Sequence, residues 1–199
     1  MTDAQLIEKF RGGEERAFNV LVWRWEANLF NFVLRYLGDR EAAKEACQKT
    51  FIRAFRKLDR LRDTSKFGTW LFSIAINICR DQLKAHKRRR TLSLEGLREN
   101  GNGVENQMEM VAEPAQGPDA QVMNRDVRHL LNRALQALPE EQRAVIVMKA
   151  YHDLKFTEIA EILDMSENTV KSRMYYGLAT LRKIFKQWNV SKESVRYEV

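Results

Sequence analysis

The stretch "FTEIAEILDMSENTVKSR", residues 156–173, decides the fold of the C-terminal part of the chain. Ala160 precedes Val170 by ten residues, with the three residues 164–166 between two helical segments. This is helix-turn-helix spacing, because a small residue is needed where the second helix crosses the first and Val170 fills the crossing. Asp164 occupies a position that requires a left-handed backbone, which Asp tolerates. A plain helical hairpin can show the same pattern and is the alternative interpretation.

The second helix of this motif has one apolar and one polar side. Ser166 can cap it through its hydroxyl, while Val170 and Met174, four residues apart, point inward. The polar side would enter the major groove of DNA. Its side chains are Glu167, Asn168, Thr169, Lys171, Ser172 and Arg173. Tyr175 and Tyr176 could also reach DNA, but aromatic pairs on helices usually pack, so we expect at most one of them to be free.

The positive charge of the chain is unevenly distributed. The 199 residues carry a formal net charge of +7. Residues 1–90 hold 20 Lys and Arg against 11 Asp and Glu, residues 91–124 hold 1 against 6, and residues 125–199 hold 13 against 10. Two basic blocks therefore flank an acidic one. Such blocks favour a polyanion, either nucleic acid or an anionic membrane surface, although many basic proteins carry only solvated Lys and Arg.

Several classes of protein are disfavoured. The N-terminus has no signal peptide pattern, and the longest uncharged apolar stretch, residues 70–79, is about half a membrane span. We therefore expect a cytoplasmic protein. Cys47 and Cys79 lie among apolar neighbours without CxxC spacing, and the three His residues are scattered. This indicates two buried free thiols, with no disulfide, no metal site and no cofactor.

Outside residues 91–121, apolar residues recur at intervals of three and four, and no run alternates as a strand would. The fold is therefore predicted to be all α. Thr2 can cap a first helix that stops at Gly12, a second helix ends at Gly38, and Asp39 caps a third.

A fourth helix is predicted from about residue 67 to residue 89, after a polar loop at residues 59–66. Its large apolar residues are Phe67, Trp70, Leu71, Phe72, Ile74, Ile76 and Ile78. They are too many for one buried stripe, so we expect some to face outward, where aromatic rings beside positive charge can hold unstacked bases. The alternative is the buried centre of a bundle, which accounts less well for Asn77. The closing run KAHKRRR, residues 84–90, either contacts phosphates or complements the dipole of the helix's own C-terminus.

Residues 91–121 are rich in Gly and Pro, lack helical periodicity and carry the acidic block, which predicts a flexible acidic linker. Helical periodicity resumes beyond them, and Pro139 starts a new helix. We therefore divide the chain into a first small helical domain at residues 1–90, the linker at 91–121, and a second small helical domain, the helix-turn-helix, at 122–190.

Three stretches carry a resemblance to a known family. They are AAKEACQKTFIRAFRKLDRL at residues 42–61, FGTWLFSIAINICRDQLKAHKRR at 67–89, and LPEEQRAVIVMKAYHDLKFTEIAEILDMSENTVKSRMYYGLATLR at 138–182. In this order they resemble the two domains of bacterial sigma factors, in the extracytoplasmic-function (ECF) group of the sigma-70 family. The resemblance implies a protein that binds core RNA polymerase, directs it to specific promoters and promotes strand opening. It also implies a partner anti-sigma factor and no enzymatic activity.

The same resemblance implies roles for individual residues. Core polymerase would contact Glu45, Gln48 and Phe51. The −10 promoter element would contact Arg62, Ser65, Lys66, Phe67, Trp70, Phe72, Asn77, Arg80 and Lys84. The −35 element would contact Asn168, Thr169, Lys171, Ser172, Arg173, Tyr175 and Tyr176. The family usually has an acidic residue at the position of Lys49 and commonly an Arg at that of Tyr176.

Two other classes of protein compete with this interpretation. A stand-alone helix-turn-helix transcription regulator would use only the second domain and bind duplex DNA unaided, which leaves the aromatic residues of the fourth helix without a role. A structural or adaptor bundle would need no recognition helix.

Overall fold

The computed structural model of the chain describes the backbone of residues 1–96 and 118–190, and the side chains of residues 1–89 and 127–190. The regular elements in these ranges are helices, as predicted. The helices are α1 (Asp3–Arg11), α2 (Arg16–Leu37), α3 (Arg40–Lys57), α4 (Phe67–Gly96), α5 (Pro118–Gln136), α6 (Glu140–His152), α7 (Phe156–Leu163) and α8 (Glu167–Gln187). A first compact unit is built on α1 to α4 and a second on α5, α6 and α8. Within the described ranges, no helix combines the length and apolar character needed to cross a bilayer.

The predicted helix ends in the first unit are confirmed. The Thr2 hydroxyl accepts a hydrogen bond from the Gln5 amide, and the Gln5 side chain accepts one from the Thr2 amide, which forms a capping box. Gly38 ends α2 with a left-handed backbone at φ 77°. The Asp39 carboxylate accepts a hydrogen bond from the Ala42 amide at 2.7 Å and so caps α3.

The first unit encloses an aromatic core between α2 and α4. Phe32 of α2 meets Phe72 of α4 edge to face, with ring centroids 4.9 Å apart. Trp25 of α2 lies edge to face against Phe67, with centroids 5.9 Å apart, and its indole nitrogen donates to Asp3. Edge-to-face pairs favour the contact of a positive ring edge with a negative ring face. These contacts fix the first turns of α4 against α2.

The loop between α3 and α4 is held by the end of α1. Two short 3₁₀ helices, Leu58–Arg60 and Thr64–Lys66, form most of it. The Arg11 guanidinium donates hydrogen bonds to the backbone carbonyls of Leu58 and Leu61. Leu58 and Leu61 are themselves buried, so both ends of the first 3₁₀ helix are tied to the core.

Helical backbone covers both ends of the segment predicted to be linker. Helix α4 continues to Gly96 and α5 begins at Pro118, whereas we expected helix only up to residue 89 and again from 122. The rest of the predicted linker, residues 97–117, lies outside the described residues. Because α4 runs on past the basic run 84–90, that run does not cap the helix's own C-terminus, and the dipole interpretation is wrong.

In the second unit α6 packs against α8, with a close approach at Gly177. A Cβ atom at this position would lie 2.7 Å from the Cδ1 atom of Ile146. Arg143 of α6 is buried and donates to the backbone carbonyls of Gln136 and Leu138, at 2.9 and 3.1 Å. The guanidinium thus satisfies carbonyl groups that the end of α5 leaves open.

Both cysteines are buried thiols that take part in no disulfide, as predicted. Burial, reinforced by the negative charge of Glu26, raises the pKa of the Cys47 thiol to about 12. The thiol is therefore protonated at neutral pH, and the reactive thiolate is scarce.

We predict that Gly68→Ala destabilises the first unit. A Cβ atom at position 68 would lie 2.3 Å from Cη2 of Trp25 and 3.0 Å from two further ring carbons, so the indole or α4 must move. Overpacking of this kind costs about 1–3 kcal/mol. Hydrogen exchange of the α2 and α4 amides measures the loss for this unit alone. In a Trp25→Phe background the same substitution should cost less, and an unchanged cost would show that the indole is not the obstacle.

Candidate nucleic-acid and protein interfaces

The turn between α7 and α8 has the predicted helix-turn-helix features. Asp164 adopts a left-handed backbone at φ 53°. The Ser166 hydroxyl accepts a hydrogen bond from the Thr169 amide at 3.1 Å and lies 2.8 Å from the Thr169 hydroxyl. Val170, one turn further on, is fully buried. The start of α8 is therefore fixed by a cap on one side and a core residue on the other.

One face of α8 is open to solvent. The exposed residues on it are Asn168, Lys171, Ser172, Tyr175 and Tyr176. Both tyrosines are exposed, at 71% and 59%, and their rings meet each other edge to face with centroids 5.7 Å apart. The prediction that at most one of the pair is free is wrong. The two rings pack on each other, and both side chains stay exposed.

The two basic residues at the start of α8, Lys171 and Arg173, differ in their exposure and in the ion pairs that they form. Lys171 pairs with Glu167 one turn earlier, at 2.6 Å, and remains half exposed. Arg173 is only 24% exposed, pairs with Glu141 of α6 at 2.6 Å and donates to the Met165 sulfur. We expected Arg173 to point outward. Instead its long side chain folds back along the helix, so it ties α8 to α6 and to the turn.

Helix α4 presents a polar face beyond its buried first turns. Asn77 is exposed although both of its neighbours are buried, and Lys84, two turns further, is exposed as well. Arg80 and Trp70 are partly exposed. On a helix of 3.6 residues per turn, Asn77, Arg80 and Lys84 share one side. This side is turned away from α2 and α3.

Most of the large apolar residues of α4 are buried, so the expectation that several of its aromatic rings face outward is wrong. Phe67 is 1% exposed and Phe72 is 2% exposed. The four aliphatic residues of the run, Leu71, Ile74, Ile76 and Ile78, are buried too. The first half of α4 packs on more than one side, because it crosses both α2 and α3. Trp70 is the one large aromatic of this run that stays partly exposed, and the ring of the buried Phe67 packs against it with centroids 5.9 Å apart.

The loop before α4 offers polar and basic side chains. Arg62, Ser65 and Lys66 are exposed. The Asp63 carboxylate accepts hydrogen bonds from the Ser65 hydroxyl at 2.6 Å and from the Ser65 amide at 3.0 Å. These bonds, and to a lesser extent the positive charge of Lys66, lower the pKa of the Asp63 carboxyl. Ser65 therefore stabilises the conformation of the loop.

Helix α3 carries an exposed row distinct from its core stripe. Glu45 and Gln48 are exposed, and Phe51 beside them is half-buried. The row continues at helical spacing to Ile52, 46% exposed, and Phe55, 40% exposed. We did not single out these last two residues. The spacing 45, 48, 52, 55 could have revealed them, because it runs beside the core positions without overlapping them.

Lys49 lies at the edge of this row, and its ammonium group contacts the Glu45 carboxylate at 2.5 Å. Such a pair on a helix surface contributes about 0.2–0.5 kcal/mol. It also neutralises part of the negative charge that Glu45 offers.

Two family models match the chain. Residues 21–89 match sigma-70 region 2 and residues 128–181 match sigma-70, region 4. The first match covers most of α2, all of α3 and α4 up to residue 89, and the second covers the last part of α5, all of α6 and α7, and most of α8.

Similar proteins occur in several bacteria. The chain is 31% identical to the ECF RNA polymerase sigma-E factor of Escherichia coli (strain K12), over 88% of this chain and 90% of that one. It is 28% identical to the RNA polymerase sigma-H factor of Pseudomonas aeruginosa, over 91% and 92%. The fold is similar to that of the sigma factor RpoE of Bartonella quintana, solved in complex with the anti-sigma factor NepR. That match has a TM-score of 0.63 and 22% identity, and covers 85% of this chain and 96% of that one.

We predict that Ser166→Ala loosens the first turn of α8. The substitution removes the hydroxyl that caps the Thr169 amide, and loss of such a cap costs about 0.5–2 kcal/mol. Faster hydrogen exchange of the amides of Thr169 and Val170 would report it. Ser172→Ala is the matched control, since Ser172 is exposed inside the helix and Ala is the better helix former there. Equal effects of the two substitutions would contradict the role of the cap.

Proposed function

Because this chain belongs to the sigma-70 family of RNA polymerase sigma factors, and to its extracytoplasmic-function group, we propose that its exposed faces divide the work of transcription initiation. A sigma factor binds core RNA polymerase, directs it to specific promoters and promotes strand opening. In our proposal residues 1–90 form region 2, which binds core polymerase and the −10 element. Residues 122–190 form region 4, which binds the −35 element, and residues 91–121 join the two.

The −35 element is recognised as duplex DNA by the open face of α8. Asn168, Lys171 and Ser172 face the major groove, and Tyr175 and Tyr176 follow them along the helix. Thr169 acts at the start of the helix, where its hydroxyl lies against the Ser166 cap. Arg173 orients α8 through Glu141, so we assign it a positioning role.

The −10 element is held as an opened strand by the outer side of α4 and the loop before it. Trp70 is partly exposed, and a base that stacks on the open part of its ring gains about 1–3 kcal/mol. Asn77 hydrogen-bonds to a base edge, while Arg80 and Lys84 neutralise phosphates. Arg62 and Lys66 add positive charge from the loop, and Ser65 shapes it. Phe67 and Phe72 act from the core: Phe67 packs on Trp70, and both rings hold the first turns of α4 against α2.

Core polymerase docks on the exposed row of α3. Glu45 and Gln48 supply polar contacts, and Phe51, Ile52 and Phe55 supply apolar ones. Protein interfaces combine apolar and polar contacts in this way.

The observation that carries this proposal is the polar side of α4. Asn77 is exposed in the middle of a run that is otherwise buried, and Arg80 and Lys84 continue its side. A stand-alone helix-turn-helix regulator has no use for such a surface in its other domain. A structural bundle would leave both this side and the open face of α8 unexplained.

We also propose that the chain has no catalytic activity of its own and that it works in the cytoplasm, where promoters and core polymerase meet. An anti-sigma factor is proposed as a second partner, because the Bartonella quintana sigma factor of similar fold was solved with one.

Transcription from a promoter template by purified core polymerase, with and without the chain, tests the function directly. Tight promoter-specific binding by the free chain at physiological salt would favour the stand-alone regulator.

We predict that strand opening and −35 recognition separate by mutation. Trp70→Ala and Asn77→Ala should impair opening and leave duplex −35 binding intact, since their contacts exist only once bases are unpaired. Lys171→Ala should weaken −35 binding, because it removes a groove or phosphate contact. Permanganate footprinting of the −10 region measures opening. Normal opening by both α4 variants would contradict the assignment. Asn77→Ala is the cleaner of the two, because Trp70 also packs on Phe67 and its variant needs a check of helicity.

We predict that assembly with core polymerase depends on the row of α3 and little on Lys49. Gln48→Ala or Glu45→Lys should weaken assembly by more than about 1 kcal/mol, whereas Lys49→Glu should be neutral or slightly strengthening, because a rim charge mainly changes the association rate and its salt dependence. Titration of labelled variants against core polymerase measures all three. Glu14→Lys, which makes the same charge change outside α3, is the matched control. A large loss with Lys49→Glu would show that the lysine has an acidic partner on polymerase.

A further inference from the structure

The last turn of α1 is tied to the loop that precedes α4. Nη2 of Arg11 donates to the backbone carbonyl of Leu61 and, at 3.5 Å, to that of Leu58. The short helix Thr64–Lys66 of the same loop also packs against α1. Residues 21–89 match sigma-70 region 2, so α1 lies before the matched residues although it contacts part of the proposed −10 surface. The family match therefore does not account for Arg11.

The guanidinium that makes these contacts is itself held in place. Its Nη1 donates to the carboxylate of Glu8, one turn earlier on α1, at 2.8 Å. Helix α1 is anchored in the core by the buried side chains of Leu6 and Ile7. Its first residue, Asp3, accepts a hydrogen bond from the indole of Trp25 at 2.9 Å, and that indole packs against the start of α4. The position of the guanidinium is therefore fixed relative to α4.

The carbonyls that Arg11 holds lie at the two ends of the first 3₁₀ helix of the loop. Leu58 begins that helix, and Leu61 follows its last residue. Short 3₁₀ helices have poor hydrogen-bond geometry, so the backbone groups at their ends depend on partners from elsewhere. Hydrogen bonds from a charged donor are about twice as strong as those between neutral groups. Because Arg62 follows Leu61 directly, this bond sets the direction in which the chain continues towards Ser65.

We propose that Arg11 is a positioning residue for recognition of the −10 element. Through the backbone of the loop it holds Arg62 and Ser65 in the arrangement that discriminates between bases of the opened strand. This inference rests on the proposed function of the loop and of α4, and it assigns a part of that function to α1. Discrimination requires contacts that are held in one geometry, so a loop that can shift accepts several bases with similar affinity. Loss of Arg11 therefore lowers selectivity at the −10 element while the core of the first unit stays intact.

The test uses the complex of the full chain with core polymerase. Wild-type and variant complexes select from one pool of promoter fragments with randomised −35 and −10 elements, and sequencing gives the base preference at each position. A base that is read by contact is preferred about 5–150-fold over the others. Arg11→Ala should reduce this preference about 3–10-fold at one or more positions of the −10 element and leave the −35 preferences unchanged. A variant that only loses stability gives less active complex, but its preferences at both elements stay those of wild type.

Lys9→Ala is the matched control for this experiment. The substitution removes one positive charge from the same helix, as Arg11→Ala does. Lys9 is exposed, and its ammonium group contacts the carboxylate of Glu14 at 3.1 Å. The preferences of this variant at the −10 element should therefore equal those of wild type.

Unchanged −10 preferences with Arg11→Ala would overturn the proposal, and so would the same change with Lys9→Ala or an equal loss of preference at both elements. If the wild-type complex selects no promoter, the proposed function fails instead. Hydrogen exchange in the free chain then still tests whether Arg11 holds the loop. Arg11→Ala should speed exchange of the Leu61 and Ser65 amides, which are hydrogen-bonded within the loop, about tenfold, and Lys9→Ala should not. Exchange as slow as in wild type would show that the loop keeps its conformation without Arg11.

Discussion

The burial of the first half of α4 against α2 and α3 is the constraint on which the first unit depends. Phe67, Phe72 and Trp25 interlock edge to face, and Gly68 lets the indole approach where no Cβ would fit. Because this half of the helix is surrounded, its outward residues are few and their directions are fixed. The polar side that begins at Asn77 is therefore presented at a defined angle, which a loop could not provide.

Local chemistry predicted the helix ends of this fold well. Thr2, Asp39 and Ser166 cap the helices expected of them, and Asp164 adopts the left-handed turn. Each of these follows from a hydrogen bond or a backbone preference within a few residues. The end of α4 was missed because no stop signal had to be satisfied near residue 89. Gly96, the next glycine along the chain, lies where the helix does end.

Side-chain direction was predicted less well, since it depends on the number of neighbours that a helix has. The number of apolar residues on α4 suggested that some rings point outward. A helix that crosses two others buries more than one stripe, however, and Phe67 and Phe72 are buried. The prediction for Arg173 was wrong for the opposite reason. We expected this long polar side chain to point into solvent, but it forms an ion pair with Glu141 on the neighbouring helix α6. The exposed apolar residues Ile52 and Phe55 can be recognised on α3 only after the residues that form its buried stripe have been identified. The family resemblance, in contrast, supplied the functional regions that charge and spacing alone could only permit.

The state of the two thiols limits how this protein can respond to its surroundings. Cys79 is fully buried, and Cys47 is buried beside the carboxylate of Glu26 with its pKa raised to about 12. Oxidants and thiol reagents attack exposed thiolates, and neither cysteine offers one while the first unit is folded. A redox signal directed at thiols would therefore have to open the first unit before it could modify either cysteine.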